Sequence, residues 1–494
     1  MNEKKLYDGI THIDDDLIEE AQSAPARRRK SPWVKWGALA ACLCFVAAGA
    51  LALLLHGGSH GGLPGGPEDP ITSTPPDASP AHFVAAQAEY PDRVAYPKDG
   101  EPYDNWWDDA QTRRDLMDDY RGTLDDFLTG SIPAFLGGAA GENKVYSPLN
   151  VYLAFGMLAE ITDGQTRQQI LDAMGADTIE ALRERVNALW NANYQNDGIT
   201  TCLLAGSFWL RDDMGYLQPA LDSLAKNYYA SSYRGAMGTP DYNAALQAWL
   251  NEQTGGLLKE QAAGVELDPS TVIALATAIY FKAGWADEFS KNATAPDTFH
   301  TAKGDVACDF MHSTDDGALY RGDGFTAASK LMRNGSAMWF VLPDEGTAPE
   351  ALLDGRFTQF LLAEKDDDTA GNYWADQRDG LINLSLPKFD VVSDTDLIPG
   401  MQALGITDVF DWSISDFTPL TDEADGLCVS EARHAARVKV DEEGVEAAAY
   451  TVIDVKATGM LMGDEIDFTL DRPFLFAVTG EDGLPLFTGV VNRP

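Results

Sequence analysis

The stretch Val438-Lys439-Val440-Asp441-Glu442-Glu443-Gly444-Val445-Glu446-Ala447-Ala448-Ala449-Tyr450-Thr451-Val452 decides how this chain is read. Taken as a strand, its side chains alternate between two faces. Val445, Ala447, Ala449, Thr451 and Ile453 share one face, which is small and uncharged throughout. Glu446, Ala448, Tyr450, Val452 and Asp454 share the other, with both acids and the one bulky ring. Such a segment can enter a sheet with one face on a core and one in water. Gly444 stands where the strand would leave its neighbour, and glycine permits a sharp dihedral change there. On these residues alone, an ordinary surface loop or an edge strand with an alanine run fits as well.

Working outward, Leu116, Tyr120, Leu124, Phe127 and Leu128 recur at helical spacing. Ser147-Pro148 is a cap followed by proline, and it predicts a helix through Val151 to Glu160. Leu203 to Leu210, Val272 to Phe281, Met338 to Leu342 and Ile382 to Leu386 read as strands. Helices dominate the first half and strands the second, which predicts an α+β fold with a large sheet.

Several stretches, in chain order, are similar to one family. They are Asn143-Lys144-Val145-Tyr146-Ser147-Pro148-Leu149-Asn150, Asp163-Gly164-Gln165-Thr166, and Ala278 through Trp285 to Phe289. Leu386-Pro387-Lys388-Phe389, Leu404-Gly405-Ile406, Asp416-Phe417-Thr418, Arg472-Pro473-Phe474-Leu475-Phe476 and the final Leu486 to Pro494 follow. Together with Glu-Glu-Gly-x-Glu-Ala-Ala-Ala at 442–449, they resemble the serpins, over about Asp109 to Pro494. The resemblance implies three β-sheets, eight or nine helices and an exposed reactive-centre loop. It implies a suicide inhibitor of serine proteases. The protease cuts the loop and is held as an acyl-enzyme while the loop inserts into the large sheet.

Residue roles follow from the same resemblance. Glu442, Glu443, Gly444, Val445, Glu446, Ala447, Ala448 and Ala449 would form the hinge. Ser147, Asn150, Thr277 and His434 would be a polar cluster under the opening of the sheet, with Trp285 at its top. The family more often has Ser in place of Asn150 and Asn in place of Thr277, so the network must be wired differently. Val445 replaces a usual Thr or Ser, and its β-branched side chain still suits a strand. Tyr450 replaces a small residue and would face solvent after insertion. Family spacing from Glu442 puts the bait bond at Thr458-Gly459. Counting back from Arg472-Pro473-Phe474 gives Met462 instead, and Lys456 and Met460 are further alternatives. Thr458 would suit an elastase-like protease, Lys456 a trypsin-like one and Met460 a chymotrypsin-like one.

Composition bounds the partners. Asp and Glu number 77 against 36 Lys and Arg, a formal net charge of −41. That strongly disfavours nucleic acid, heparin and anionic membrane surfaces as partners. Cys42 and Cys44 lie in an apolar run, which leaves Cys202, Cys308 and Cys428, no disulfide framework. Residues 1–32 read as a cytoplasmic tail ending in Arg27-Arg28-Arg29-Lys30. Residues 33–55 read as a transmembrane anchor, with no charge from Trp36 to Leu55. Because the next basic residue is Arg93, the chain beyond is expected outside the cell. A cleaved signal peptide or a lipidated Cys42 are the rival readings. Residues 56–108 read as a Gly/Pro-rich extracellular linker, although 83–108 resist assignment, and 109–494 read as the folded domain. A cytoplasmic tail before one anchor suits a Gram-positive cell surface.

No Walker loop, His-Glu-x-x-His or Cys-x-x-Cys occurs, and Gly-x-Ser-x-Gly is matched at Gly57-Gly58-Ser59-His60-Gly61, in the Gly/Pro-rich linker rather than at a strand-to-helix elbow. Beyond Asp109 the histidines are His300, His312 and His434, none in a catalytic motif. The expectation is therefore a monomeric inhibitor, not an enzyme, with no metal or cofactor and a target protease as its covalent partner. A non-inhibitory serpin-fold binding or scaffold protein is the alternative, and a cell-surface hydrolase the more distant one.

Overall fold

The computed structural model describes residues 79–98, 101–120, 122–365, 373–424, 426–445 and 464–494. The expected tail, the apolar run and residues 446–463 lie outside the described residues. Among the described residues no helix is long and apolar enough to cross a membrane.

Two hydrogen-bonded sheets form the framework. The first runs β1 (Val84–Ala86), β5 (Ala230–Gly235), β4 (Thr200–Arg211), β6 (Ile273–Gly284), β14 (Gly444–Val445), β13 (Arg433–Val440) and β12 (Phe389–Asp396), with β3 (Gln195–Asn196) beside β4. The second runs β15 (Glu465–Thr469), β11 (Gln377–Pro387), β8 (Gly304–Gly322), β9 (Phe325–Leu331), β10 (Ala337–Pro343), β16 (Phe474–Thr479), β17 (Pro485–Val491) and β2 (Lys144–Tyr146), with β7 (Ala295–Thr301) beside β8. The family pattern implied three sheets. Here the 19-residue β8 pairs with β7 and β11 along most of its length and with β9 at Tyr320 to Gly322, so two sub-sheets become one ladder.

Ten α-helices surround the sheets among the described residues, one more than the upper expectation. They are α1 (Asp104–Tyr120), α2 (Asp125–Leu136), α3 (Pro148–Glu160), α4 (Gly164–Ala173), α5 (Ile179–Asn193), α6 (Gln218–Asn227), α7 (Pro240–Gln253), α8 (Lys259–Ala262), α9 (Arg356–Leu362) and α10 (Ile398–Ala403). The periodic stretch from Leu116 to Leu128 is two helices, not one, because Gly122 turns the chain at φ 74°.

α3 shows how sequence sets position. The Ser147 hydroxyl accepts the Asn150 N–H at 3.1 Å, satisfying an orphan donor of the first turn, and Pro148 needs no such bond. Every residue of α3 is buried. A helix apolar on all sides belongs inside a domain, and α3 touches β6 of one sheet and β17 of the other. α7 covers the opposite face of the first sheet, where Trp249, Tyr242 and Leu246 pack with Trp209, Tyr233 and Ala278.

Residues 83–108, placed in the linker from sequence, are part of this packed unit. β1 adds to the first sheet beside β5. Tyr90 stacks on Trp190 with centroids 5.6 Å apart. Arg93 donates to the Tyr194 and Asn191 carbonyls at 3.0 and 2.5 Å.

Candidate functional site

The described part of the quoted segment, Val438 to Val445, lies within the first sheet. β13 carries it in, Asp441 to Glu443 form a turn, and β14 turns back between β13 and β6. Val445 pairs with Val440 on one side and with Ala283 on the other; Gly444 pairs with Gly284. Both pairings are antiparallel, so β6 and β13 run parallel. Among the described residues no rung joins β6 to β13 directly; β14 alone bridges them. The hinge was expected to enter the sheet only after cleavage. Its first two strand residues are already there, with Val445 only 2% exposed, on the core side that its parity predicted.

Gly444 is needed for space rather than for dihedral freedom. A Cβ there would sit 2.2 Å from the Ala283 carbonyl oxygen, closer than any side chain can come. Its backbone is not among the positive-φ glycines.

A latch of polar contacts holds the turn. The Glu442 carboxylate meets Lys388 Nζ at 2.7 Å and accepts from the Thr294 hydroxyl at 2.9 Å. Burial acts to raise the pKa of this carboxyl. The bonds from Lys388, its own backbone and Thr294 outweigh burial and hold it below the usual range. The Phe289 N–H donates to the Glu442 carbonyl and the Trp285 N–H to the Glu443 carbonyl, both at 3.0 Å. The fully buried Trp285 also donates its indole Nε1–H to the Asp441 carbonyl at 2.9 Å. Lys291 pairs with Glu443. Trp285 was expected at the top of the sheet; its backbone and indole N–H groups tie Glu443 and Asp441 to the end of β6. Lys388, Thr294 and Lys291 were not singled out from sequence as site residues. Nothing local marks them, since their partner lies 54, 148 or 152 positions away.

Below the latch, the expected polar cluster is assembled in part. His434, on β13, is 1% exposed. Its Nε2 accepts the Ser147 N–H at 3.0 Å, and Ser147 caps α3 through Asn150. With Nε2 accepting, the neutral ring carries its proton on Nδ1. Burial pushes this imidazole down to about 4, so it is neutral at pH 7. His434 Nδ1 and Asn150 Nδ2 are buried without hydrogen-bond partners among the described residues. Thr277, on β6, is not hydrogen-bonded to the other three. It lines a cavity of about 90 Å³ with Ile273, Leu275, Ala435 and Leu250, between β6, β13 and α7. Ser147, Asn150 and His434 are thus brought together, and Thr277 faces the seam beside them. Glu446, Ala447, Ala448, Ala449 and the candidate bonds at Lys456, Thr458, Gly459, Met460 and Met462 lie outside the described residues.

His300 contacts Asp305 at the surface, and His312 Nδ1 lies 3.0 Å from the Ser385 hydroxyl within the second sheet. Cys202, Cys308 and Cys428 are unpaired; burial raises the thiol of Cys202 to about 12, leaving it inert.

Known proteins share this architecture. The family profile described as Serpin (serine protease inhibitor) matches residues 133–494. Serpin-Z1C of Triticum aestivum is 30% identical over 374 residues, covering 72% of this chain and 91% of that protein. The solved structure of Tengpin, a thermophilic serpin in its native state, superposes with a TM-score of 0.66 at 25% identity, covering 76% of this chain and 94% of Tengpin. Human thyroxine-binding globulin superposes with a TM-score of 0.65 at 21% identity, covering 77% and 99% of the two chains; at that identity the likeness is one of fold.

Proposed function

Since the chain belongs to the serpin family of protease inhibitors, we propose that it traps a serine protease by offering the loop after Val445 as bait and inserting it between β6 and β13. The carrying observation is the pre-entered hinge. β14 occupies the head of the seam, Val445 is in the core, and β6 and β13 share no ladder below it. Among the described residues the facing backbones of β6 and β13 are not laddered to each other, and completing ladders to a strand following β14 would drive insertion.

The protease serine attacks the carbonyl of the bait residue, the bond to the next residue breaks, and the new amine leaves. An ester joins inhibitor and protease. Insertion then draws the ester away from the site where water would hydrolyse it. Thr458-Gly459 is the bond that hinge spacing favours, which suits an elastase-like target; Lys456, Met460 and Met462 are the alternatives. The run 36–55 supports display on the outer face of a membrane, on a stalk beginning after residue 55. The domain acts as a monomer in this reading.

The test is incubation of the full-length protein with an elastase-like serine protease. A covalent band stable to SDS is expected, with mass spectrometry showing a cut between Lys456 and Met462. A loop that is cut without any covalent band, across a panel of serine proteases, overturns inhibition in favour of a binding or scaffold role. Protease added to intact cells should release the domain; a domain protected until lysis overturns the outward orientation.

A further inference from the structure

A cavity of about 660 Å³ opens between α1, the segment before it and the turns at Arg333 and Glu481. It is distinct from the hinge and the seam. Its size is that of a small-molecule site. Tyr96 and Trp106 form one wall, packed edge-to-face with centroids 5.1 Å apart. That wall is pinned in place: the Trp106 indole donates to Asp197 Oδ2 at 3.0 Å and the Tyr96 N–H to the Asp197 carbonyl at 2.7 Å.

The charges around the cavity decide what it can hold. Arg114 is paired with Glu481, and Arg333 with Glu288. Asp197 accepts from Trp106, Gln195 and the N–H groups of Ile199 and Thr200, so its capacity is filled. Arg113 differs. It is 6% exposed, yet its one hydrogen bond is a long 3.4 Å contact from Nε to Asp109 Oδ2. The same carboxylate faces Arg93 at 3.6 Å, so one negative charge serves two guanidinium groups. The two terminal nitrogens of Arg113 have no partner among the described residues. A largely buried guanidinium that shares its counter-charge and lines the cavity favours an anion there. In a chain of net charge −41, such a spot runs against the overall charge.

We propose that this cavity binds a small aromatic carboxylate, with Arg113 holding the acid group and Tyr96 and Trp106 flanking the ring. Guanidinium geometry matches a carboxylate in two parallel bonds, and the aromatic wall supplies the apolar contact.

Calorimetry on the full-length protein with naphthoate, and with the neutral, nearly isosteric naphthamide, tests this. Naphthoate should bind one per chain, at least about tenfold tighter than naphthamide, the ratio expected when a charged hydrogen bond is exchanged for a neutral one. Arg113→Met should abolish the preference, and Arg113→Lys should keep part of it. Trp339→Ala, in a separate cavity beside α9, should leave binding unchanged. Equal affinity for the two probes in the wild-type protein, or no binding of either, overturns the proposal without need of any variant. So does a preference that survives Arg113→Met or disappears in Trp339→Ala.

Discussion

Replacing Val445 with Arg tests insertion most directly. Val445 is 2% exposed and pairs on both sides, with Val440 and Ala283. Losing a fully buried valine costs about 1.5–3 kcal/mol. Leaving an unpaired guanidinium in its place costs several kcal/mol more. The variant should therefore keep β14 out of the sheet, and insertion after cleavage would have to bury the charge. If only about 4 kcal/mol of this appears in the insertion barrier, insertion slows about a thousandfold. Deacylation of the ester, which the hinge does not touch, should be unaffected. The outcome of the race reverses, and the inhibitor becomes a substrate. The assay is a gel that separates covalent complex from cleaved protein, run with active protease for wild type, Val445→Arg and Tyr450→Arg. Tyr450 has the opposite parity, so its Arg variant should trap nearly as well as wild type. Thermal melts before and after cutting complete the test, since an added strand should raise the wild-type melting temperature. If Val445→Arg traps protease as efficiently as wild type, or cleavage leaves the melting temperature unchanged, the insertion mechanism is wrong.

Three further outcomes are expected. His434 is neutral in the folded and unfolded chain above pH 6.5, and below that the unfolded chain takes up a proton that the folded one refuses until about pH 4. Stability should fall by up to about 3 kcal/mol across that window, and His434→Gln, compared by pH-dependent melts, should remove that part of the slope; an unchanged slope refutes the assignment. Glu442→Gln removes the charge from the bonds to Lys388 and Thr294, costing about 1.5–3 kcal/mol, seen as a lower denaturation midpoint; no change in midpoint means the latch is not holding the turn. Gly444→Ala sets a methyl 2.2 Å from the Ala283 oxygen, so β14 should leave the seam and Trp285 fluorescence should shift to the red, while an unchanged spectrum and unchanged amide exchange at Trp285 would contradict the close approach.

The sequence revealed what local chemistry encodes. Ser147-Pro148 announced α3 to the residue, and the alternation through Val445 gave the correct buried face. Long-range pairing left no such mark. The Lys388–Glu442 latch joins positions 54 apart, and neither residue type is unusual in so charged a chain. α1 was obscured by its composition: it is crowded with acids, yet Ala110, Arg113, Met117 and Tyr120 are buried at helical spacing. β1 is three residues long, too short for an alternation to register. The union of the two sub-sheets was hidden because β8 carries Asp315 and Asp316 mid-strand, where a polar pair reads as a turn. Gly444 was recognised as necessary for the wrong reason, since crowding by a neighbouring carbonyl is invisible until the neighbour is known.

β14 also bears on accuracy. A strand sliding into an open seam from outside could dock in many alignments, and a slip by one position would turn every side chain over. Such a slip would send Glu446 and Tyr450 into the apolar interior and leave the alanines in water. The rungs Gly444 to Gly284 and Val445 to Ala283 and Val440 remove that freedom before the loop is cut. Each later residue can only zip onto the one before it, so the alignment of the whole inserted strand is settled by two residues. In the proposed mechanism the slow search for a starting point would already be finished when the protease arrives, and a zipper with its first teeth engaged would suit a contest against hydrolysis.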